Sequence, residues 1–355
     1  MSRTTWAYPK YTRKEDDHAG KELAAGGSSA EWLNALHVVD NWRASHAFPL
    51  NTFQVGLRQR ARKVEAESIV AQRLKRLSSI EAKLSRFDKM RLSRMQDIGG
   101  CRAVVHTLPQ VGALHKAYRE SNLKHRLIRV RDYIELPKQS GYRSLHLIYS
   151  YHSDKKPTYN GLQIEVQIRT QLQHAWATAV ETVGTFLDQS LKSSQGSQRW
   201  LRFFSLMGSA FAFKEEMPLV PGTPDNRESL VEDIRRMAQE LAVRRTLRDY
   251  QRVVQTHIIP SLREADFFLL TLRPKEGSAT VTTFARKELE KATEEYLEME
   301  RQIAGEPGSQ TVLVAAESVE ALLKAYPNYF LDTTIFLEEL SGVLAPPGVK
   351  GNSQI

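Results

Sequence analysis

The stretch RDYIELPKQSGYRSLH, residues 131–146, joins two apolar segments and contains three cations, two tyrosines, a Pro-Lys turn, a glycine and a Ser-x-His pair. Successive side chains of a strand point to opposite faces. Tyr142, Ser144 and His146 are therefore predicted on one face of a strand, and Leu145, Leu147 and Tyr149 on the other. Cations, hydroxyls and a ring on one face are typical of a site that binds phosphates and a base.

The next apolar segment, LQIEVQIRT at residues 162–170, alternates apolar and polar residues without interruption. This pattern predicts a strand with one buried face and one polar face. Glu165, Gln167 and Arg169 share the polar face. Together, the two strands offer a carboxylate for a metal ion, cations for phosphate oxygens and an aromatic ring for a base.

The net charge of +9 is unevenly distributed along the chain. Residues 263–345 contain 15 acidic and 8 basic residues, a net of −7, and the last ten residues contribute one lysine, so residues 1–262 carry +15. A basic front suggests a polyanionic substrate, and an acidic back suggests a unit that docks on the front. Alternatively, acidic helix faces such as residues 288–300 are only solvated.

The composition excludes several classes of protein. The longest apolar run, at residues 203–213, is too short to cross a bilayer and contains Gly208 and Ser209. The first six residues lack the apolar segment of a signal peptide. A single cysteine, Cys101, excludes an internal disulfide and a multi-cysteine zinc site. We therefore expect a cytoplasmic protein that does not enter a membrane.

The order of predicted elements indicates an α/β (α+β) fold. Strands are predicted at residues 98–105, 127–134, 142–151 and 162–170, and helices at 111–121 and 171–187. Residues 51–86, which are rich in Arg and Lys, are predicted as one or two helices, and Ser29 as the cap of an earlier helix. Strands that alternate with helices predict a mixed sheet flanked by helices.

The chain is predicted to divide into four parts. Residues 1–198 form the sheet domain with its N-terminal helices, and residues 199–262 form a helical linker. Residues 263–345 read as a small β-β-α-β-α domain, because a hairpin signature is followed by a helix, a strand and a short helix. Residues 346–355 form a Pro- and Gly-containing tail that is expected to be disordered.

Asp97 and Glu165 are the candidate metal ligands. They lie on different elements that the pattern places in the sheet. Two carboxylates that converge from separate elements are a usual way to hold Mg²⁺ against substrate phosphates. The alternative is that Asp97 caps a turn and Glu165 pairs with Arg169.

The candidate phosphate ligands are basic. Arg73, Lys75 and Lys83 precede Asp97 on a predicted helix, and Arg102 enters an apolar strand, where an unpaired cation is costly. Residues 115–131 contain six Lys or Arg and one acid. With the basic residues at positions 58, 60, 62 and 63, this segment could form a face broad enough for nucleic acid.

No HxxEH, CxxC, GxSxG or Walker pattern occurs in the sequence, which argues against zinc hydrolases, serine hydrolases and P-loop kinases.

Taken together, these motifs resemble the RelA/SpoT nucleotide pyrophosphokinase domain over about residues 69–184. The matching segments are RLK at 73–75 with SI at 79–80 and Lys83, QDIGGCR at 96–102, DYI at 132–134, PK at 137–138, GYRSLH at 141–146 and EVQIRT at 165–170. That family transfers the β,γ-pyrophosphate of ATP to a ribose 3′-hydroxyl. The resemblance therefore implies ATP as donor and Mg²⁺ as cofactor.

The resemblance also implies a role for each residue. Asp97 and Glu165 would bind Mg²⁺, and Glu165 would help to deprotonate the 3′-hydroxyl. Tyr142 would stack on the acceptor base, although from the residues alone it could equally be a core ring, and His146 is as a lone histidine more often structural. The remaining implied site residues are Arg73 and Arg102 at the adenine, Lys75, Lys83 and Arg131 at the ATP phosphates, Lys138 and His146 near the acceptor, and Gln167 and Arg169 on the last strand.

The C-terminal unit, with the segment YPNYF at 326–330, resembles the antitoxin-like pseudo-zinc-finger domain of CapRel-type fused toxin–antitoxin proteins. This resemblance implies that the enzyme pyrophosphorylates the 3′ CCA end of tRNA and so stops translation in anti-phage defence. It further implies that Tyr326, Tyr329 and Phe330 block the ATP site until a phage capsid protein binds. The alternative is that these three rings are a packing cluster that closes the small domain.

Three functions are thus compatible with the sequence. The favoured one is an autoinhibited tRNA-modifying toxin, because a broad basic face is more than a mononucleotide needs. The alternative is an alarmone synthetase that makes (p)ppGpp from GDP or GTP. The third is a basic RNA-binding protein without activity, against which the presence of Asp97, Tyr142 and Glu165 argues.

Overall fold

The structure is a computed structural model that describes residues 6–27, 29–187, 191, 197–255, 265–316 and 318–345. The predicted disordered tail, residues 346–355, lies outside the described residues.

Three helices open the chain, namely α1 (Arg13–Ala25), α2 (Ala30–Ser45) and α3 (Ala47–Val64). The hydroxyl of Ser29 accepts the Trp32 backbone N–H, so Ser29 caps α2 as its sequence predicts. Helix α1 was not predicted. A capping box between Thr12 and Glu15 starts it, and its buried face packs on the same core as α2.

Eight described strands form one mixed sheet in the order β3-β4-β5-β2-β1-β8-β6-β7. The strands are β1 (Ile69–Leu74), β2 (Gly99–Val105), β3 (Arg126–Asp132), β4 (Leu145–Ser150), β5 (Gln163–Thr170), β6 (Phe267–Arg273), β7 (Ser278–Phe284) and β8 (Gln310–Ala315). Strands β2 and β5 run parallel, and the other ladders are antiparallel. The prediction of a mixed α/β fold is confirmed.

The prediction that residues 51–86 are helical is wrong in its middle. Helix α3 ends at Val64, strand β1 follows at Ile69–Leu74, and α4 occupies Leu77–Arg86. Strand β1 pairs with β2 on one side and with β8 on the other, so its backbone hydrogen bonds are satisfied by distant segments. This pairing overrides the local preference that its Arg- and Lys-rich surroundings suggested.

The remaining helices cover the sheet. They are α5 (Leu108–Arg119), α6 (Gln171–Phe186), α7 (Gln198–Lys214), α8 (Arg227–Glu240), α9 (Val243–Gln255), α10 (Leu289–Gln302), α11 (Val319–Ala325) and α12 (Thr334–Leu344). Helix α6 buries Trp176, Val180 and Val183 in one core cluster with α7. A second cluster lies between the opposite sheet face and helices α1–α5.

The predicted β-β-α-β-α order of the C-terminal unit is observed as β6, β7, α10, β8 and α11, and α12 follows. Its strands do not form a sheet apart, because β8 pairs with β1 through Gln72–Ala315 and Arg73–Val314. Without β8, the outer edge of β1 would present unpaired backbone groups. The domain boundaries at residues 198, 262 and 345 stay predictions.

Within the described part of the chain, no helix combines the length and the apolar character that crossing a membrane requires.

Candidate functional site

The strand register places two rows of side chains on one face of the sheet. The first row contains Arg131, His146, Gln167 and Arg102, on β3, β4, β5 and β2. The second contains Arg129, Ile148, Glu165, Gly100 and Arg73, on β3, β4, β5, β2 and β1. Predicted site residues from five strands therefore meet on one face. Arg73 belongs to strand β1 and Lys75 to the loop after it, which corrects the helix predicted for both.

Asp97 lies in the turn before β2 and pairs with two lysines. Lys75 Nζ donates to Asp97 Oδ2 at 2.8 Å, and Lys83 Nζ donates to Asp97 Oδ1 at 2.9 Å. Burial alone would raise the pKa of Asp97, but the two ammonium groups outweigh it and hold the pKa below its usual range. A charged carboxylate between two predicted phosphate ligands results. The predicted alternative of a plain turn cap does not account for these two ion pairs.

Glu165 is held by its neighbours on the sheet. His146 Nδ1 lies 2.8 Å from Glu165 Oε1, and Gln167 Nε2 donates to Glu165 Oε2 at 2.6 Å. Burial opposes ionisation, yet the hydrogen bond from His146 lowers the pKa of Glu165. The pairing with Arg169 proposed as an alternative is not observed, because Arg169 instead contacts His174 on α6.

Mg²⁺ fits this donor set. Among the residues that the structure describes, no group of three or more His, Cys, Asp or Glu side chains is placed to hold a metal. Mg²⁺ needs fewer protein ligands, because it is commonly bound by one or two carboxylates together with substrate phosphates. Asp97 and Glu165 line the same cavity, so both carboxylates could contribute.

A wall of rings continues from Glu165 toward the predicted acceptor side. The hydroxyl of Tyr142 lies 2.8 Å from His146 Nε2. Lys138 Nζ lies over the rings of Tyr133 and Tyr142, at 4.3 and 5.0 Å from their centroids. Tyr142 is 4% exposed and belongs to the α6–α7 core cluster, and burial raises its pKa to about 12. It lies in the turn before β4, not within the strand as predicted.

Gly141 positions Tyr142, and this gives a stability prediction. Its φ is +93°, and a Cβ there would lie 2.7 Å from the carbonyl oxygen of Phe204 and 2.9 Å from the ring of Trp176. We expect Gly141→Ala to lower the free energy of unfolding by roughly 1–3 kcal/mol, measured by urea denaturation. The control is Gly112→Ala on α5, where a Cβ meets nothing within 4 Å. That change should stabilise by about 0.5–1 kcal/mol, and equal shifts in both variants would contradict the assignment.

Three arginines concentrate positive charge at the other end of the site. They are Arg73, Arg102 and Arg169, and each interacts with Glu181 on α6. Burial and the charge of Arg102 lower the pKa of Arg169 to about 9. Among the described residues, Arg169 Nε and Nη1 have no hydrogen-bond partner. Such a cluster favours an anionic or electron-rich ligand.

These residues surround a cavity of about 1640 Å³, which is large enough for two nucleotides. The predicted site residues that line it are Arg73, Lys75, Lys83, Asp97, Arg131, Lys138, Tyr142, His146, Glu165 and Gln167. Arg102 and Arg169 are not among the lining residues of this cavity; Arg102 contacts the end of α11, and Arg169 contacts His174 on α6.

The C-terminal unit covers this arginine cluster. Arg102 Nη2 donates to the carbonyl of Ala325, and His174 Nε2 lies 3.2 Å from the carbonyl of Lys324. The ring of Tyr326 lies under the Arg102 guanidinium at 5.7 Å, and its hydroxyl donates to the carbonyl of Gln72 at 2.6 Å. The last two carbonyls of α11 thus contact Arg102 and His174.

The other two rings of the YPNYF segment are also buried. Tyr329 is 2% and Phe330 is 6% exposed, and both pack with Tyr326 against Ala71 of β1. The three rings therefore form a packing cluster, as the alternative proposed, and Tyr326 in addition contacts a predicted adenine ligand.

Three residues of the site were missed by sequence analysis. Glu181 lines the cavity from α6, and a signal for it is its acidic side chain in a largely apolar helix. Arg129 lies across the sheet from Glu165, which its spacing of two from Arg131 could have indicated. Gln96 accepts a hydrogen bond from Arg131 Nη2 at 3.1 Å.

A family model described as "Region found in RelA / SpoT proteins" matches residues 72–184. This segment matches the RelA/SpoT family, which confirms the resemblance over residues 72–184. It contains all the predicted cavity residues named above, whereas the C-terminal unit falls outside the match.

Relatives of this RelA/SpoT domain include two proteins of Bacillus subtilis (strain 168). The GTP pyrophosphokinase YwaC is 31% identical over 111 residues, 30% of this chain and 52% of that protein. The GTP pyrophosphokinase YjbM is 32% identical over 87 residues, 24% of this chain and 41% of that protein. The chain thus spans about half the length, or less, of the curated relatives it matches.

Among solved structures, the small alarmone synthetase 1 of Bacillus subtilis bound to its product pppGpp is similar to this chain. Its TM-score is 0.42 at 24% identity, and the similarity covers 48% of this chain and 89% of that one.

Proposed function

We propose that the RelA/SpoT domain transfers pyrophosphate from ATP to the 3′-hydroxyl of a guanine nucleotide, GDP or GTP. The observation that carries the proposal is the sheet face itself. Beside it, Asp97 lies between Lys75 and Lys83, and the face itself carries Glu165 in contact with His146, which in turn contacts Tyr142. The names of the two Bacillus relatives support a guanine-nucleotide acceptor over the tRNA that the sequence favoured.

On the donor side, the chain's contribution is charge and position. Lys75 and Lys83 would bind the β- and γ-phosphates, and Arg131 lies on the same cavity wall. Asp97 and Glu165 would hold Mg²⁺, which when bound would neutralise charge on the ATP phosphates. Phosphoryl-transfer enzymes obtain most of their rate from such positioning and electrostatic stabilisation.

On the acceptor side, Glu165 would take the proton of the 3′-hydroxyl. With its proton on Nδ1, His146 donates to Glu165 and accepts from the Tyr142 hydroxyl, which fixes the carboxylate. The 3′-oxygen then bonds to the β-phosphorus, the bond between the β-phosphorus and the α,β-bridging oxygen breaks, and AMP leaves. Tyr142 and Lys138 would line the part of the cavity that holds the base and phosphates of the acceptor.

A second candidate acceptor is the 3′ end of tRNA. The observation that favours it is β3, an edge strand whose residues 126–130 are all exposed and include Arg126 and Arg129. Two arginines on a solvent-facing edge beside the cavity suit a phosphate backbone, because each contacted phosphate adds affinity that falls with salt. A mononucleotide would leave this edge unused.

We further propose that the C-terminal unit restricts access of ATP. The support is the position of Tyr326 and of the last carbonyls of α11 on Arg102 and His174. The net charge of −7 on residues 263–345 suits docking on a basic domain. A toxin–antitoxin role with a phage capsid protein as trigger stays a prediction.

The acceptor is tested by incubating the protein with γ-³²P-labelled ATP and either GDP, GTP or deacylated tRNA. We expect labelled guanine nucleotide whose 3′ label is released by alkaline phosphatase. Label on tRNA alone would show that tRNA, the second candidate, is the acceptor. No transfer with any acceptor, in either the intact chain or a variant with the cover released, would refute the proposed activity.

A further inference from the structure

Helix α4, which carries Lys83, begins without a capping side chain of its own. Arg76 stands at the N-cap position, and its side chain makes no capping hydrogen bond. The first turn of a helix has free backbone N–H groups that need an acceptor. In this chain the acceptor comes from the C-terminal unit, because Glu300 Oε1 on α10 accepts the Leu77 N–H at 2.9 Å.

The same carboxylate is tied to the loop that supplies Lys75. Glu300 Oε2 pairs with Arg43 Nη2 of α2 at 2.8 Å, and Arg43 Nε donates to the carbonyl of Lys75 at 3.1 Å. Arg43 is 1% exposed. Its remaining nitrogen, Nη1, donates to Asp40 at 2.9 Å, and Nη2 also donates to the hydroxyl of Tyr296 at 2.7 Å.

Two donor-side lysines therefore depend on one acidic side chain of α10. Lys75 is held through its own carbonyl by Arg43, and Lys83 is carried by the helix that Glu300 caps. Both lysines hold Asp97, the predicted metal ligand. The contact is distinct from the Tyr326 cover, which acts from α11 on Arg102.

We propose that Glu300 is a positioning residue for the donor site. By capping α4 and fixing Arg43, it sets the positions of Lys75 and Lys83, so the C-terminal unit builds the ATP-phosphate side of the site as well as covering its adenine side. This inference rests on the proposed function. It assigns to α10 a role that favours activity, opposite in sign to the role of α11.

The test uses the full chain with the cover released by Tyr326→Ala, and adds Glu300→Ala or Glu300→Gln. Glutamine keeps an oxygen for the Leu77 N–H but loses the charge that pairs with Arg43, whereas alanine loses both. We expect the KM for ATP to rise at least 10-fold with alanine and about 3-fold with glutamine, with kcat and the KM for the acceptor changed less than 3-fold. The control is Glu294→Ala, an exposed glutamate on the same helix.

Two measurements need no turnover. Amide hydrogen exchange of residues 77–86 should accelerate at least 10-fold in Glu300→Ala and stay unchanged in the control. Affinity for an ATP analogue with a methylene bridge between the α- and β-phosphates should fall in the same variants in which exchange accelerates. Absence of product in every variant counts against the proposed function alone, because exchange and affinity still report on Glu300.

Unchanged exchange would overturn the capping role. Faster exchange with unchanged analogue affinity would reduce Glu300 to a structural contact and overturn the positioning role. If Glu300→Ala does not fold, Glu300→Gln and Arg43→Lys replace it, and the same two outcomes decide.

Discussion

Replacing Asp97 with asparagine is expected to lower kcat/KM for pyrophosphate transfer about 10³-fold, which corresponds to about 4 kcal/mol of transition-state stabilisation. Asparagine matches aspartate in shape but carries no charge. It would weaken both lysine contacts, at 2.8 and 2.9 Å, and offer Mg²⁺ a poorer ligand. Initial rates over a range of ATP and Mg²⁺ concentrations measure the effect, with a higher Mg²⁺ requirement expected.

The matched control is Asp154→Asn. Asp154 also pairs with a lysine, Lys124, but its side chain is 62% exposed and lies away from the cavity. Its rate should stay within 2-fold of the parent protein. The kcat/KM of Glu165→Gln should fall as far as that of Asp97→Asn, because the group that accepts the proton of the 3′-hydroxyl is lost. Near-normal turnover in either site variant would show that the site is misplaced.

Replacing Tyr326 with alanine is expected to raise the rate at low ATP concentration at least 10-fold. The change removes the ring under Arg102 and the hydroxyl that donates to Gln72, and so frees a predicted adenine ligand. The effect should appear as a lower KM for ATP and as arrested growth of cells that express the variant. Tyr326→Phe, which keeps the ring, should release the site only in part.

The control for this change is Leu323→Ala on α11, the helix that ends just before Tyr326, because Leu323 is 37% exposed. Removal of a buried ring also costs about 3–5 kcal/mol of stability. Thermal unfolding of each variant therefore accompanies the assay, and a lower rate in a folded Tyr326→Ala protein would contradict the covering role. Removing the whole unit is a weaker experiment, since β8 completes the edge of β1.

The residues of the site could be predicted from the sequence because short-range pattern determines which face of a strand they occupy. Alternation in β5 places Glu165 and Gln167 together, and the glycines before Arg102 mark the start of β2. The sheet register then brings them opposite His146 without further information. The mixed α/β fold follows from the same alternation of elements.

Other features depended on distant partners and were missed. Strand β1 owes its conformation to β2 and β8, which no local pattern reveals. Tyr142 is buried because α6 and α7 pack against it. Its ring contacts Trp176 of α6, and Phe204 of α7 belongs to the same core cluster. The contact of Glu300 with Leu77 joins residues more than two hundred positions apart, and an acidic helix face gives no hint of it.

The pairing of β1 with β8 also determines when the sheet can be completed during synthesis. Arg73 leaves the ribosome long before Val314, its partner on the neighbouring strand. At translation rates of 5–20 residues per second the delay is roughly 10–50 s. Throughout that interval the nascent RelA/SpoT domain has an open strand edge and an uncapped α4. The order of synthesis would therefore keep the donor lysines unassembled until the segment that covers the site is also being made.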